Sequence, residues 1–195
     1  MSRERIERHL EEHRRTMERV ARELAGPIGA CADLLCEVLA DGGKLLIMGN
    51  GGSAADAQHL AAELVGRFLR ERRGLPAVAL TTDSSVLTAV GNDYGFEDIF
   101  RRQVDALARP GDAVLGISTS GSSGNVFQAL TAANARGCKT IGLLGHDGGT
   151  IAEIVDLALT VPVRETPYIQ EAHVTIIHIL CALIEERLFP KGEER

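Results

Sequence analysis

Residues 44–64, KLLIMGNGGSAADAQHLAAEL, decide how this chain folds. They open on a short apolar run, turn at Gly49, Gly51 and Gly52, and continue as a helix-like segment. An apolar run bounded by glycine reads as a strand buried on both faces. Four further runs look alike: LPAVALTT (75–82), DAVLGIST (112–119), CKTIGLLG (138–145) and DLALTVPV (156–163). Each of the first four runs leads through a turn into a helix-like segment. This alternation predicts an α/β fold, a three-layer, doubly wound, five-stranded parallel sheet of the flavodoxin-like type.

Outward from this core, residues 3–24 predict one helix. Ile6, Leu10, Met17, Val20 and Leu24 recur near helical spacing among charges. The stripe is narrow, which implies packing on another helix, including one from a neighbouring subunit. Pro27 predicts a break, and a second helix is expected over 28–40, ending at the DGG of 41–43. Residues 169–189 predict a last helix. Val174, Ile176, Ile177, Ile179, Leu180, Leu183 and Ile184 cover nearly every side of its middle, the pattern of a buried helix. Subunit contact is the expected way to bury it. The chain reads as a single domain over 1–195, with extra N-terminal helices (1–42) used in oligomer packing and an α/β core with the C-terminal helix (43–195).

The 195 residues suffice for a full core, and 45% hydrophobic with 25% charged residues is an ordinary globular balance. A net charge of −6 disfavours broad binding to nucleic acid. Aromatics at 4% and no Trp leave few stacking platforms for single strands. Cys31, Cys36, Cys138 and Cys181 form no C-x-x-C pair and sit among aliphatic neighbours. Buried reduced thiols and a cytoplasmic location are expected. The N-terminus is too charged for a signal peptide, and no run is expected to span a bilayer, which needs about 20 apolar residues.

In open α/β sheets ligands bind beyond the carboxyl ends of the strands. Two loops there are chemically unusual. In GNGGS (49–53) the glycines let backbone approach a ligand, and the helix that follows offers free N–H groups. In STSGSSGN (118–125) four serines and one threonine fall within six residues. Such a loop at a helix start can hold a phosphate with neutral donors, although a polar turn with an N-cap serine has the same look. Neither loop has the P-loop pattern, and Ala54 stands where a dinucleotide-binding turn needs its third glycine.

The helix after the first loop carries His59 and Glu63 four residues apart, hence on one face, shared with Ala55, Gln58, Ala62 and Gly66. Small residues there leave room for a ligand or a close neighbour. The last helix adds Gln170, Glu171, His173 and His178. His178, inside IIHIL, is expected to be deeply buried and so to need a partner or a task.

In this order these residues resemble the sugar isomerase (SIS) family, over nearly the whole chain. The marks are GNGGSAADAQHLAAELVGRF (49–68), TAVGNDYGFEDIF (88–100), ISTSGSSGNV (117–126) and IQEAHVTIIHILCALIE (169–185). Within the family the likeness is to members that act on heptose phosphates. It implies isomerisation of sedoheptulose 7-phosphate to D-glycero-D-manno-heptose 7-phosphate through an enediol, the first step toward nucleotide-activated heptose. It implies Glu63 and His178 as the acid/base pair, and Asn50, Gly51, Gly52 and Ser53 as contacts near the first turn. It further implies Ser118, Thr119, Ser120 and Ser123 as the phosphate and hydroxyl cradle, and Asn92, Asp93 and Gln170 as further substrate contacts. His59, Glu63, Gln170 and His178 match the family's zinc ligands, one ion per subunit. A homotetramer is implied as well, with neither nucleic acid nor membrane as a partner. The ETPYIQ segment (165–170) departs from the pattern, and Pro167 and Tyr168 carry no family role.

The zinc set raises a geometric question. His59 and Glu63 chelate easily at i, i+4. Gln170 and His178 are eight residues apart on one helix, roughly 12 Å along its axis, so their side chains must lean together or a ligand must come from another chain. The rival function is a non-catalytic family member that binds a protein such as a replication initiator. A protein that has abandoned the reaction has no need of both Glu63 and His178. A sugar-phosphate-sensing regulator would bring a DNA-binding module, and a pentose-phosphate isomerase of this fold often carries a regulatory tail.

Overall fold

The computed structural model describes residues 2–190. Five parallel strands, β1 (Leu45–Gly49), β2 (Ala77–Ala79), β3 (Ala113–Ser118), β4 (Lys139–Gly145) and β5 (Leu157–Val161), form one sheet in the order β2-β1-β3-β4-β5. This is the expected doubly wound arrangement. All residues of β1 and β3 are buried, as strands covered on both faces require.

Alternate strand residues divide between two cores. Leu45, Ile47, Leu115, Ile117, Ile141, Leu143, Leu159 and Val161 pack toward one set of helices. These are α1 (Ser2–Glu23), α2 (Ala25–Ala40), α3 (Gly52–Val65) and α8 (Thr166–Leu188). Leu46, Met48, Val114 and Leu144 face the other layer. It contains α4 (Ser84–Asp93), α5 (Arg101–Leu107), α6 (Gly124–Ala135) and α7 (Gly149–Ala152), with a 3₁₀ turn at Phe96–Asp98. Gly116 lets α6 sit close: a Cβ there would lie 2.5 Å from Val126.

Three expectations need correction. The break between the first two helices falls at Leu24, three residues before Pro27. Pro27 occupies the first turn of α2, where a missing N–H costs nothing. The apolar α8 needs no second subunit to bury most of its core positions. Ile169, Ala172, Ile176, Ile177, Leu180, Cys181 and Ile184 are buried in their own chain, and only Ile179 among its large apolar residues is exposed. Finally, α8 is long and apolar enough to cross a membrane, by length and composition alone. Its packing against α2, α3 and the sheet explains that composition instead. α8 starts at Thr166 because Pro167 favours a first helical turn. All four cysteines are buried and free, and burial pushes the thiols of Cys31 and Cys181 up to about 12.

Candidate active site

Both unusual loops lie at the carboxyl ends of adjacent strands. β1 ends in Gly49, and a Cβ there would meet the Ser53 carbonyl oxygen at 2.7 Å. Gly51 then takes φ of 56° at the head of α3, a conformation open to glycine. β3 ends in buried Ser118, whose hydroxyl lies 2.9 Å from that of Ser123, the N-cap of α6, and 3.4 Å from that of Ser120. Thr119 is half-buried between them. Asn50 and Asn125 join the two loops: each side-chain amide donates to the other's carbonyl, at 2.8 and 2.9 Å.

α3 and α8 lie side by side and run the same way. The Gln170 amide rests over Gly52, where a Cβ would approach it to 2.4 Å. About two turns on, the Nε2 atoms of His59 and His178 are 3.2 Å apart, and His59 Nε2 is 3.2 Å from Glu63 Oε1. The two imidazoles meet edge to face, and Phe68 stacks on His178 at 5.4 Å between centroids. His59, Glu63 and His178, separated by 119 residues at the extremes, are thus brought together at a half-buried position.

The family matches the geometry. The SIS domain family matches residues 8–145. A phosphoheptose isomerase of Geotalea daltonii is 65% identical over 98% of this chain and 99% of its own length. One from Geobacter sulfurreducens is 69% identical over 91% of this chain and 94% of its own. The chain belongs to the SIS-domain family, among its phosphoheptose isomerases. The solved phosphoheptose isomerase GmhA of Neisseria gonorrhoeae superimposes with a TM-score of 0.91 at 46% identity, over 95% of this chain and all of that one. That of Francisella tularensis gives 0.93 at 39%, over 95% and 99%.

The phosphoheptose isomerase fold gathers the expected residues unevenly. Asn92 and Asp93 are exposed at the end of α4, where the Asn92 amide donates to the Asp93 carboxylate at 2.8 Å. Among the described residues no hydrogen bond ties them to the two loops or to His59. His178 is half-buried, while the fully buried histidine of α8 is His173. The IIHIL stretch is apolar in sequence, but position 178 falls on the stripe facing α3, where it meets His59.

Zinc can be tested against the donors present. Two ligand atoms about 2.0–2.1 Å from a tetrahedral zinc stand roughly 3.3 Å apart. The two contacts of His59 Nε2 have that length, and imidazole and carboxylate are suitable donors. Gln170 lies off this centre, toward Gly52, and among the described residues no three His, Cys, Asp or Glu side chains surround one point. The set fits zinc in kind, with His59 at its centre.

Three partners escaped the sequence. Asn125 pairs with Asn50, and Phe68 stacks on His178; both contacts join distant segments. Asp56 is buried on α3 with Oδ2 unpartnered; burial pushes its carboxyl above the ordinary value, against the opposing pull of His59. Its signal was its place one turn before His59.

Proposed function

We propose that the chain interconverts sedoheptulose 7-phosphate and D-glycero-D-manno-heptose 7-phosphate as an aldose–ketose isomerase. The observation that carries this is the meeting of His59, Glu63 and His178 along the helix that begins at the first loop, a loop that the Asn50–Asn125 pair ties to the hydroxyl-rich start of α6. An isomerisation through an enediol needs one group to take a carbon-bound proton and another to protonate the carbonyl oxygen. Glu63 has one oxygen directed at His59 and a second left to move the carbon proton; His178 serves the oxygen. Ser118, Thr119, Ser120 and Ser123, with the N–H groups opening α6, hold the phosphate. Asn50, Gly51, Gly52, Ser53 and Gln170 line the sugar, and Asn92 and Asp93 reach its hydroxyls. Anchoring the phosphate places the reacting carbons, so binding energy serves orientation.

Zinc held by His59, Glu63 and His178, with Gln170 turned in from its place over Gly52, would supply positive charge beside the oxyanion that develops. Exposed Ile6 and Leu10 on α1, at 60% and 61%, support assembly into a homotetramer. The four free thiols support a cytoplasmic location. The product would enter the route to nucleotide-activated heptose and lipopolysaccharide. Incubation with sedoheptulose 7-phosphate, read by NMR, should yield the aldose heptose phosphate. No conversion by the protein, with and without added zinc, would overturn the proposal.

A further inference from the structure

The stack of Phe68 on His178 is fixed from a buried point beyond the reacting groups. Residues 66–73 leave α3 and fold back over α8. Glu185 of α8 accepts hydrogen bonds from the backbone N–H groups of Phe68, Leu69 and Arg70 at 2.9, 2.8 and 2.9 Å, and from Arg72 Nε at 3.0 Å. The Arg72 guanidinium in turn donates to the carbonyls of Glu63 and Leu64, each at 2.7 Å, and of Gly66 at 3.1 Å. These are the carbonyls at the open end of α3, left without partners by the helix itself. Both charged side chains are 1% exposed. Burial alone would push the Glu185 carboxyl up, but the three N–H groups and the Arg72 charge bring it below its ordinary value.

A buried ion pair is seldom favoured over apolar packing for stability alone. This one touches neither loop nor any of the three reacting side chains. It binds the Glu63 carbonyl on one side and the Phe68 amide on the other, so it links the backbone of one reacting residue to the ring neighbour of the other. We propose that Arg72 and Glu185 are positioning residues for the isomerase site. They hold Phe68 against His178 and fix the end of α3 that carries Glu63, so that the two proton-transfer groups keep their mutual geometry. A carboxylate that fills a nest of three N–H groups sets the loop by direction, not only by distance.

The inference rests on the proposed roles of Glu63 and His178, so its test carries a readout independent of turnover. The probes are Phe68→Leu, Phe68→Tyr and Glu185→Gln in the full chain. The imidazole nitrogen and carbon-bound proton signals of His178 are followed by long-range correlation NMR, alongside kcat, KM and melting temperature. Phe68→Leu should shift the His178 ring signals and lower kcat on the order of 10-fold, the lesser cost of losing an outer support. KM should stay near the parent value and the melting temperature should be little changed. Phe68→Tyr should restore both the signals and kcat. Glu185→Gln should lower the melting temperature and also reproduce the His178 shift and the kcat loss, although it touches no reacting group. A Glu185→Gln protein with lower melting temperature but parental His178 signals and kcat would overturn the inference, leaving the pair merely structural. Parental signals in Phe68→Leu would do the same. If the parent fails to turn over sedoheptulose 7-phosphate, the functional proposal falls, while the His178 signals still decide whether the clamp sets the ring.

Discussion

His173 and His178 lie five residues apart on α8 and do opposite things. His173 is fully buried; its Nε2 is 3.0 Å from the Leu144 carbonyl oxygen, and its Nδ1 has no partner. Burial pushes its pKa down to about 4, partly countered by that hydrogen bond. His178 is half-buried, with its ring against those of His59 and Phe68. The first ties α8 to the end of β4 as a neutral group. The second meets the polar side chain of His59 at a half-buried position. Depth in the core marks the structural histidine here, and a half-buried place against His59 marks the one proposed to move a proton.

The largest effect should come from the reactive member. His178→Gln and Glu63→Gln keep size and hydrogen bonding but remove proton transfer. Each should lower kcat on the order of 10²–10⁴, the usual worth of a positioned acid or base. Substrate should still bind through the serine loop. Parental turnover by either variant would return these residues to bystanders on a helix face.

The structural member should show itself in acid. A histidine whose folded pKa lies below its ordinary value is held neutral by folding. Its contribution is complete above about pH 6.5 and is lost as pH falls toward 4. The loss should reach about 2 kcal/mol by pH 5. Urea unfolding of the parent and of His173→Leu at pH 7 and pH 5 isolates it. The variant should lose less stability over that interval, whatever its stability at pH 7. Equal pH dependence in both proteins would remove the distinction drawn between the two histidines.

That distinction also shows what could be known from the chain alone. The alternation of apolar runs with helices gave the sheet and its winding, because strands buried on both faces leave a continuous apolar record. The Ser118–Ser123 loop was visible for the same local reason: its hydroxyls are consecutive. Burial along α8 was not, since apolar neighbours surround both histidines and only the direction of each side chain separates them. Asn125, Phe68 and the Arg72–Glu185 pair were invisible because each contact joins segments far apart. The order of the heptose-phosphate motifs, not any one spacing, pointed to Glu63 and His178.

A smaller effect belongs to the serine loop, where the proposed phosphate site offers hydroxyls in place of charges. Ser120 is exposed, and its oxygen accepts from the Ser122 N–H at 3.2 Å. Ser120→Ala should remove one neutral donor from the phosphate, at a cost of about 1.5–3 kcal/mol in binding. The change should appear in KM for sedoheptulose 7-phosphate more than in kcat. An unchanged KM would make the loop only a turn.

The smallest effect should come from the third polar position of α8. Glu171 follows Gln170 immediately and faces α1, where His9 Nε2 and His13 Nδ1 approach its two oxygens at 2.8 and 2.7 Å. It therefore has a carboxylate and two imidazoles, the same residue types as the His59 cluster. The difference is the helix that supplies the imidazoles, α1 and not the α3 that follows the glycine turn; the Glu171 side chain is 34% exposed and its partners 47% and 37%, close to the 25% and 36% of Glu63 and His59. Pairs this open are worth no more than about 1 kcal/mol, because water and salt compete for each partner. Burial would raise the Glu171 carboxyl, but the hydrogen bonds and charges of His9 and His13 leave it below its ordinary value. Its contribution is therefore present above the ordinary carboxylate range and lost as pH falls through the folded value. Glu171→Gln should lower stability by less than about 1 kcal/mol at pH 7 and leave kcat near the parent value. A large loss of turnover would show that α1 takes part in placing Gln170.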